Sequence, residues 1–220
     1  MKNNIEVEIC TFSLESCLNA QLAGASRVEL CSGMYDGGTT PSAAMIRMAR
    51  EKLSIQLYVM IRPRGGDFLY SDLEFEVMKE DIRFAKACRA DGVVLGILNA
   101  DGSVDVRRTR ELVELAAPLK VTFHRAIDMT RNMEEALEGI IEAGCYRVLT
   151  SGGRNTVNEG MEQIKALVKQ AGGRVQIMAG SGVNAANART LMESGVDAIH
   201  LSGKSNRDSE MKFRNPNVFM

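Results

Sequence analysis

The 220-residue chain contains no tryptophan, only 5% aromatic residues and no cluster of basic side chains. A surface that binds nucleic acid usually combines such a cluster with aromatic groups that stack on bases, so we expect no nucleic-acid partner. Lys and Arg total 27 while Asp and Glu total 28, which gives a formal net charge of −1. Both signs are spread along the chain, as in an ordinary globular protein.

The chain also lacks the apolar runs that direct a protein into a membrane. Residues 1–6 (MKNNIE) contain no core of a signal peptide, and no apolar run is long enough to span a bilayer. The cysteines number five, an odd count, and none shows the CxxC spacing of a zinc site. Because such scattered cysteines are typical of reduced thiols, we expect a soluble cytoplasmic protein with no membrane partner.

Short β-branched runs alternate with amphipathic segments along the whole sequence, at about the spacing of a βα unit. The runs that predict strands are residues 5–10, 27–31, 56–61, 92–98, 120–124, 147–150, 175–179 and 198–201. Eight such units, with no GxGxxG motif opening a helix, favour a closed (β/α)8 TIM-type barrel of the α/β class over an open doubly wound sheet.

Residues at the ends of the predicted elements support this division. Ser71 and Glu74 have the spacing of a capping box, and Thr40 before Pro41 predicts another helix start. No linker interrupts the pattern, so we expect residues 1–220 to form one domain. Residues 204–220 are a polar tail without amphipathic period, which predicts that the closing helix is missing, truncated or supplied by a neighbouring subunit.

In such a barrel the functional residues lie at the C-terminal ends of the strands, and side chains alternate between lumen and helix layer. If Val7 and Ile9 face the helices, Glu8 and Cys10 face the lumen. Counting in the same way directs further side chains inward: Glu6, Glu29, Cys31, Met60, Arg62, Thr122, His124, His200 and Ser202. Glu6 lies deeper than the others, which suggests a structural role.

Four of the residues at this end of the barrel could transfer protons: Glu8, Glu29, His124 and Asp128. Two other interpretations compete with this one. The charges could form an ion network that only fills the lumen, and His124 could be a hydrogen-bonded core histidine.

Residues 62–67 (RPRGGD) form the most unusual string of the sequence. Arg62 and Arg64, with Arg125 after the fifth strand, suit recognition of a carboxylate or phosphate. Glycine-containing turns after the last three strands could add backbone donors: Ser151, Gly152, Gly180, Ser181, Gly182, Ser202 and Gly203. The alternatives are solvated arginines on a flexible loop and turns that serve backbone geometry alone.

Cys10 and Cys31 end two neighbouring predicted strands that have nearly the same four-residue sequence, VEIC and VELC. Adjacent strands lie about 5 Å apart, so the two sulfurs could share a soft metal ion, with Met60 as a further soft donor. Cysteine is also a common small buried hydrophobe, and that interpretation stays open. A disulfide between them is disfavoured in a reducing cytosol.

Several strings together resemble the CutC family, the copper homeostasis proteins: residues 28–31 (VELC), 37–42 (GGTTPS), 60–68 (MIRPRGGDF), 121–126 (VTFHRA), 148–152 (VLTSG) and 213–216 (FRNP). The resemblance implies a cytoplasmic (β/α)8 barrel, often a homo-oligomer, with a role in copper tolerance. It also implies a Cu(I) site at Cys10 and Cys31. The family continues beyond the Asn-Pro tail into a last helix that this chain lacks.

Two functions of different classes follow. The first is a copper-handling protein that binds Cu(I) through Cys10 and Cys31 as a buffer or chaperone. The second is an enzyme in which Arg62 and Arg64 hold a small anionic metabolite while carboxylates and His124 act as acid and base. Residue chemistry alone favours the second, and the family resemblance favours the first.

Overall fold

Eight parallel strands close into a barrel in the order of the sequence, so the (β/α)8 architecture is confirmed. The computed structural model describes residues 5–205 and 207–218. Its strands are β1 (Glu6–Thr11), β2 (Arg27–Leu30), β3 (Gln56–Met60), β4 (Gly92–Leu95), β5 (Lys120–Phe123), β6 (Arg147–Thr150), β7 (Gln176–Gly180) and β8 (Ala198–Leu201). The pairing of β1 with β8 closes the barrel.

Helices on the outside connect successive strands. They are α1 (Leu14–Leu22), α2 (Ala43–Lys52), α3 (Asp72–Ala87), α4 (Val106–Ala116), α5 (Met133–Glu142), α6 (Met161–Ala171) and α7 (Ala188–Glu193), with 3₁₀ turns at Met34–Asp36 and Arg125–Met129. After β8, residues 202–205 and 207–218 contain no helix and are exposed, so a closing helix is missing from the described part of the tail. Within the described ranges, no helix combines the length and apolarity needed to cross a membrane.

The main hydrophobic core lies between the barrel and the helices, because each element contributes one apolar face. On β2 the outward side chains Val28 and Leu30 are fully buried. Helix α3 packs Phe75, Met78 and Ile82 against this layer at the three- and four-residue spacing of one helical face. The lumen holds separate, smaller apolar clusters, which leaves room there for charged side chains.

One predicted helix start agrees with the structure, and another differs from it. The Ser71–Glu74 capping box of α3 is present with both of its hydrogen bonds. The cap predicted at Thr40 is wrong, because α2 begins at Ala43 with Ser42 as its N-cap. The Thr40 hydroxyl instead accepts a 2.9 Å bond from the Arg62 backbone N–H, which joins the loops after β2 and β3.

The fourth strand ends at Leu95, three residues before the predicted end. Gly96 follows it, and a Cβ there would lie 2.5 Å from Cε1 of the His124 ring. The chain leaves the sheet at this glycine. The space that a side chain would occupy there is filled by the imidazole of His124, which directly follows β5.

Candidate functional site

The bottom of the lumen is filled by two buried arginines and their carboxylate partners. Arg27 of β2 and Arg147 of β6 are both 0% exposed. Arg27 Nε lies 2.6 Å from Glu8 Oε2, and Arg147 bonds to Glu6 and to Gln176. Glu6 therefore neutralises a buried arginine, which fits the structural role expected for it.

Glu8 is fully buried, and both of its oxygens are engaged. Oε1 lies 2.7 Å from His200 Nδ1, and Oε2 forms an ion pair with Arg27. Burial alone would raise the pKa of Glu8, but His200, Arg27 and Arg147 outweigh it and lower that pKa. Glu8 is thus an ionised counter-charge to two cations, an arrangement that does not support the proton transfer predicted for it.

Above Glu8, four side chains form what we call the thiol cluster: Cys10, Glu29, Cys31 and His200. The sulfurs of Cys10 and Cys31 lie 4.0 Å apart, and Cys31 Sγ lies 3.5 Å from Glu29 Oε2. Cys10 pairs with Glu29 in the β1–β2 register, which sets the two thiols diagonally across neighbouring strands. The proximity expected from strand parity is present, and metal binding by the pair stays a prediction.

Hydrogen bonds and charges divide the cluster into ionised and neutral groups. Hydrogen bonding from Cys31 is the largest cause that lowers the pKa of Cys10 to about 5; His200 acts in the same direction and burial opposes both. The same contact with Cys10, together with burial, raises the pKa of Cys31 well above its usual value. Cys10 is therefore a thiolate at neutral pH, and Cys31 is a neutral thiol beside it.

The protonation of the other two members of the cluster, Glu29 and His200, depends on the same balance of burial, hydrogen bonds and charge. Burial and the Cys10 charge raise the pKa of Glu29 well above its usual value, which favours its neutral form. Burial disfavours a charged His200, but Glu29 when it is ionised, the Cys10 thiolate and Glu8 outweigh burial and raise the pKa of His200 well above its ordinary value. An imidazolium therefore lies between the Cys10 thiolate and the Glu8 carboxylate.

Two sets of side chains bring potential metal ligands within 4.8 Å of one another: Cys10, Glu29 and Cys31 in the first, and Glu8, Glu29 and His200 in the second. Glu8 and His200 already bind each other, so the first set is the better candidate. A disulfide requires a bond of about 2.05 Å, far shorter than the 4.0 Å observed between the two free thiols. Two metal–sulfur bonds of about 2.3 Å would span that distance.

A cavity of about 760 Å³ opens above the thiol cluster at the C-terminal mouth of the barrel. Cys10, Glu29 and His200 contribute to its lining, so the cluster is reached through it. Most of the wall is apolar, formed by Met60, Phe68, Leu98, Met129 and Leu149. The polar wall includes Arg62, His124 and Arg125, three of the residues singled out in the sequence.

His124 is 4% exposed at the edge of this cavity. Its Nδ1 accepts a 3.2 Å bond from the Ala126 backbone N–H, while Nε2 has no partner among the described residues. Burial, and then the charge of Arg62, lower the pKa of His124 to about 3. The ring is therefore neutral with its proton on Nε2, and this geometry supports a hydrogen-bond donor rather than the predicted acid or base.

Asp128 lies in the 3₁₀ turn after β5 and is saturated with donors. Its Oδ1 accepts from the Thr150 hydroxyl at 2.5 Å, and its Oδ2 accepts from the Ser151 backbone N–H at 3.0 Å. Arg125 Nε lies 2.8 Å from Oδ2, and Arg125 also reaches the Ser151 hydroxyl. The carboxylate thus fixes Arg125 and the turn after β6, which does not support a catalytic role for Asp128.

The two arginines of residues 62–67 point in different directions. Arg62 is 5% exposed, faces the cavity and donates to the carbonyls of Asp36 and Gly38. Arg64 lies outside the cavity, where it pairs with Glu74 at 2.5 Å and with Asp67 at 2.9 Å. Because β3 ends at Met60, strand alternation no longer applies here, and the expected two-arginine clamp does not form.

The residues predicted as backbone anion donors, from Ser151 to Gly203, lie outside the lining of this cavity. At Gly152, where φ is +73°, a Cβ would lie 2.3 Å from the carbonyl oxygen of Gly160. At Gly180 a Cβ would lie 2.6 Å from Leu149. Close packing thus explains these two glycines without an anion.

The loop after β7 and the start of the tail offer no better support. The Ser181 hydroxyl donates to the Asn155 carbonyl, and the Gly182 carbonyl accepts from the Asn187 side chain. Ser202 and Gly203 are exposed at the beginning of the tail. The positions of these residues therefore do not support an anion site.

Because the chain has only two histidines, NMR can test their protonation directly. Over about pH 5–8 we expect the ¹⁵N shifts of His124 to stay those of a neutral ring with the proton on Nε2, since its pKa is about 3. His200 should show an imidazolium at pH 7. A His124 ring that titrates near pH 6.5, as an exposed histidine does, would contradict the assignment.

Sequence reasoning missed three residues that organise the lumen. Arg27 shares the inward parity of Glu29, and Arg147 that of Leu149, so the same counting would have found both. Strand parity directs His200 into the lumen but does not show that it joins the thiol cluster. Its contact with Glu8 spans 192 positions and forms only when β8 closes against β1, so no local pattern signals it.

Fold and site together define a (β/α)8 barrel with a thiol, carboxylate and imidazole cluster at its C-terminal mouth. The CutC family profile matches residues 5–205. A copper homeostasis protein cutC homolog of Mus musculus is 49% identical over 99% of this chain and 80% of its own length. A CutC family protein of Chromobacterium violaceum is 50% identical over 97% of this chain and 87% of its own.

A solved structure of CutC from Streptococcus agalactiae superposes with a TM-score of 0.86 at 36% identity, covering 90% of this chain and 99% of that one. The agreement extends over the barrel that carries the thiol cluster. The chain belongs to the CutC family.

Proposed function

We propose that this protein serves copper homeostasis by binding one Cu(I) ion between Cys10 and Cys31. The observation that carries the proposal is a pair of free thiols 4.0 Å apart at the floor of an open cavity. Thiolates are soft ligands and favour Cu(I) over hard cations. The name of the Mus musculus relative, a copper homeostasis protein homolog, supports the same function.

The charges around the thiols suit a monovalent ion. Two thiolates and one Cu(I) ion carry a net charge of −1. The His200 imidazolium beside Cys10, itself held by Glu8 at 2.7 Å, supplies the compensating charge. Burying the loaded site therefore leaves no uncompensated charge, which would otherwise be costly.

The position of the cluster bears on how the ion is exchanged. Cys10 is partly exposed and lines the cavity, whereas Cys31 is fully buried behind it. We propose that an incoming ion binds Cys10 first and that Cys31 then completes the site. In this order each thiol replaces one ligand of the small molecule that delivers the ion. Such a buffer or chaperone needs reduced thiols, so we also propose a cytoplasmic location.

The alternative, an enzyme acting on a small anion by acid and base chemistry, has weaker support. Glu8 is locked between Arg27 and His200, Asp128 is saturated with donors, and His124 is neutral with a protonated Nε2. Glu29, His124 and Asp128 line the cavity, but of these three only Glu29 is left as an acid or base, and it lies against Cys31. We therefore propose the copper function.

Self-association stays a prediction. The helix that would cover the outer side of β8 is missing from residues 202–205 and 207–218. Val7 and Ile9 on the neighbouring β1 are only partly buried, so a second copy would cover them. Sedimentation of the copper-free chain, with a dimer or larger assembly expected, tests this.

A Cu(I) titration under reducing conditions, with a competing chelator and a pH indicator, tests the proposed function. We expect one ion per chain. Because the pKa of Cys10 is about 5 and that of Cys31 is raised, binding at pH 7 should release one proton, from Cys31. The affinity should then rise about tenfold per pH unit from about pH 6 to 8, and more steeply below pH 5, where both thiols lose a proton.

The same titration with the protein unfolded in urea provides the control, because denatured thiols have ordinary pKa values near 8.5 and no fixed spacing. A folded protein that competes no better than the unfolded chain, or that releases two protons at pH 7, would contradict the proposed site.

A further inference from the structure

The upper part of the mouth cavity contains a buried cation without a counter-charge. Arg62 is 5% exposed, and its guanidinium forms no ion pair with any carboxylate of the described residues. A guanidinium has five N–H donors. Three of them are bound to the carbonyls of Asp36, Gly38 and Gly66, and the buried Nε–H has no acceptor among the described residues. A buried charge in this state is costly unless an anion accompanies it.

A second unpartnered donor faces the same cavity. The Nε2–H of His124 is buried and makes no hydrogen bond within the described ranges. Nδ1 is committed to the Ala126 N–H, so the ring cannot turn to satisfy Nε2 without losing that bond. Phe68 links the two groups, since its ring lies 4.9 Å from the His124 ring and 5.0 Å from the Arg62 guanidinium carbon.

The acidic side chains near this point are already used. Asp67 lines the rim, but its carboxylate pairs with Arg64 on the outside. Asp128 is bound by Arg125 and by the turn after β6. Asp36 is exposed, and it is its backbone carbonyl that contacts Arg62. Arg62 and His124 thus offer donors and charge that no protein group takes up.

We propose that the mouth cavity binds a small monocarboxylate with an apolar body, its carboxylate oxygens accepting from His124 Nε2–H and from the free Nε–H of Arg62. The body lies against the apolar wall formed by Phe68, Leu98 and Met129. This wall selects a carboxylic acid over inorganic phosphate, because a phosphate dianion has no apolar part to bury and keeps more of its hydration. The site is independent of the proposed copper function.

Binding is measured by calorimetry on the copper-free protein with benzoate and hexanoate as probes, and with benzamide and inorganic phosphate as comparisons. We expect benzoate to bind at least about tenfold more tightly than benzamide, its neutral counterpart of the same shape, because charge-assisted hydrogen bonds are lost with the charge. His124→Phe keeps a ring beside Phe68 and should weaken benzoate about tenfold.

Met129→Trp fills the cavity from its exposed rim without touching a donor, so it tests the site even if His124→Phe fails to fold. It should also weaken both carboxylates about tenfold. Arg189→Gln, which removes an exposed arginine of α7, serves as the control for loss of charge and should leave binding unchanged. Cys31→Ser should also bind benzoate as the wild type does, which separates this site from the copper site.

The proposal is overturned if benzamide or phosphate binds as tightly as benzoate, if no carboxylate binds, or if both cavity variants bind as the wild type does. Observation of the His124 Nε2–H by NMR adds a direct check. Its proton should shift downfield when benzoate is added, and an unchanged resonance at saturation would also overturn the assignment.

Discussion

Replacing Cys31 with serine is expected to lower the affinity for Cu(I) by more than about a hundredfold. The substitution exchanges a soft sulfur for a hard oxygen at the deeper of two thiols 4.0 Å apart. Loss of an outer-shell partner of a metal ligand typically costs about 10- to 100-fold in affinity, and loss of one of two ligands should cost more. Cys10→Ser should have an effect of similar size, since neither thiol alone retains the ion.

The matched control is Cys88→Ser. Cys88 is also a free thiol, but it lies at the end of α3 and outside the thiol cluster. We expect its Cu(I) affinity to equal that of the wild type. The measurement is competition with a Cu(I) chelator under reducing conditions, with thermal unfolding to confirm that each variant folds. If Cys31→Ser and Cys88→Ser bind equally well, the ion is held elsewhere.

Cys10 and Cys31 also show why much of the barrel follows from the sequence. Their strands contain the sequences VEIC and VELC, in which outward-facing apolar residues alternate with residues that face the lumen. Consecutive strands of this fold are neighbours, and the register pairs Cys10 with Glu29, so Cys31 lies two residues further along and diagonally opposite Cys10. Local alternation and strand order, which can be read without a structure, place both thiols in the lumen on adjacent strands, and the register then sets their exact offset.

The orientation of Arg64 depends on different information. Beyond Met60 the chain leaves the strand, and the direction of each side chain is set by the backbone of the loop and by its partners. Arg64 turns outward because Glu74, which also caps α3, and Asp67 both lie there. No periodicity encodes such a contact, so the two arginines appeared equivalent in the sequence.

Protonation in the lumen could not be predicted either, since it depends on contacts that form only on closure. His200 meets Glu8 across the seam between β8 and β1, 192 positions apart in sequence. His124 and His200 occupy the same kind of position at a strand end. Burial beside Arg62 lowers the pKa of His124, whereas three acidic neighbours raise that of His200.

A second large effect is expected at the bottom of the lumen. Glu8→Gln should lower the free energy of unfolding by about 3–5 kcal/mol, the usual cost of removing one partner from a buried ion pair. Glu8 and Arg27 are 0% and 1% exposed in their side chains and lie 2.6 Å apart. His200 can respond by losing its proton, but the Arg27 guanidinium cannot. Arg27 is then left to share Glu6, whose Oε2 lies 3.7 Å from its Nη1, with Arg147, so two buried arginines have one carboxylate between them.

The pH dependence has a definite sign. The folded state lowers the pKa of Glu8 below its unfolded value, so its contribution to stability is present at neutral pH and is lost as the pH falls through the lowered pKa. The variant carries no titrating group at position 8, so the difference in unfolding free energy between wild type and variant should shrink in acid. Urea unfolding at neutral and acidic pH measures both quantities.

A double substitution separates loss of charge from loss of packing. Adding Arg27→Met to Glu8→Gln removes the stranded cation and leaves a long apolar side chain over the Tyr58 ring, which the guanidinium contacts at 4.1 Å. The double variant should therefore be more stable than Glu8→Gln alone, because an apolar replacement of a buried pair is often neutral. Glu193→Gln, at an exposed pair with Arg189, should cost no more than about 1 kcal/mol. Equal losses in the single and double variants would show that Glu8 stabilises the barrel through its shape and not through its charge.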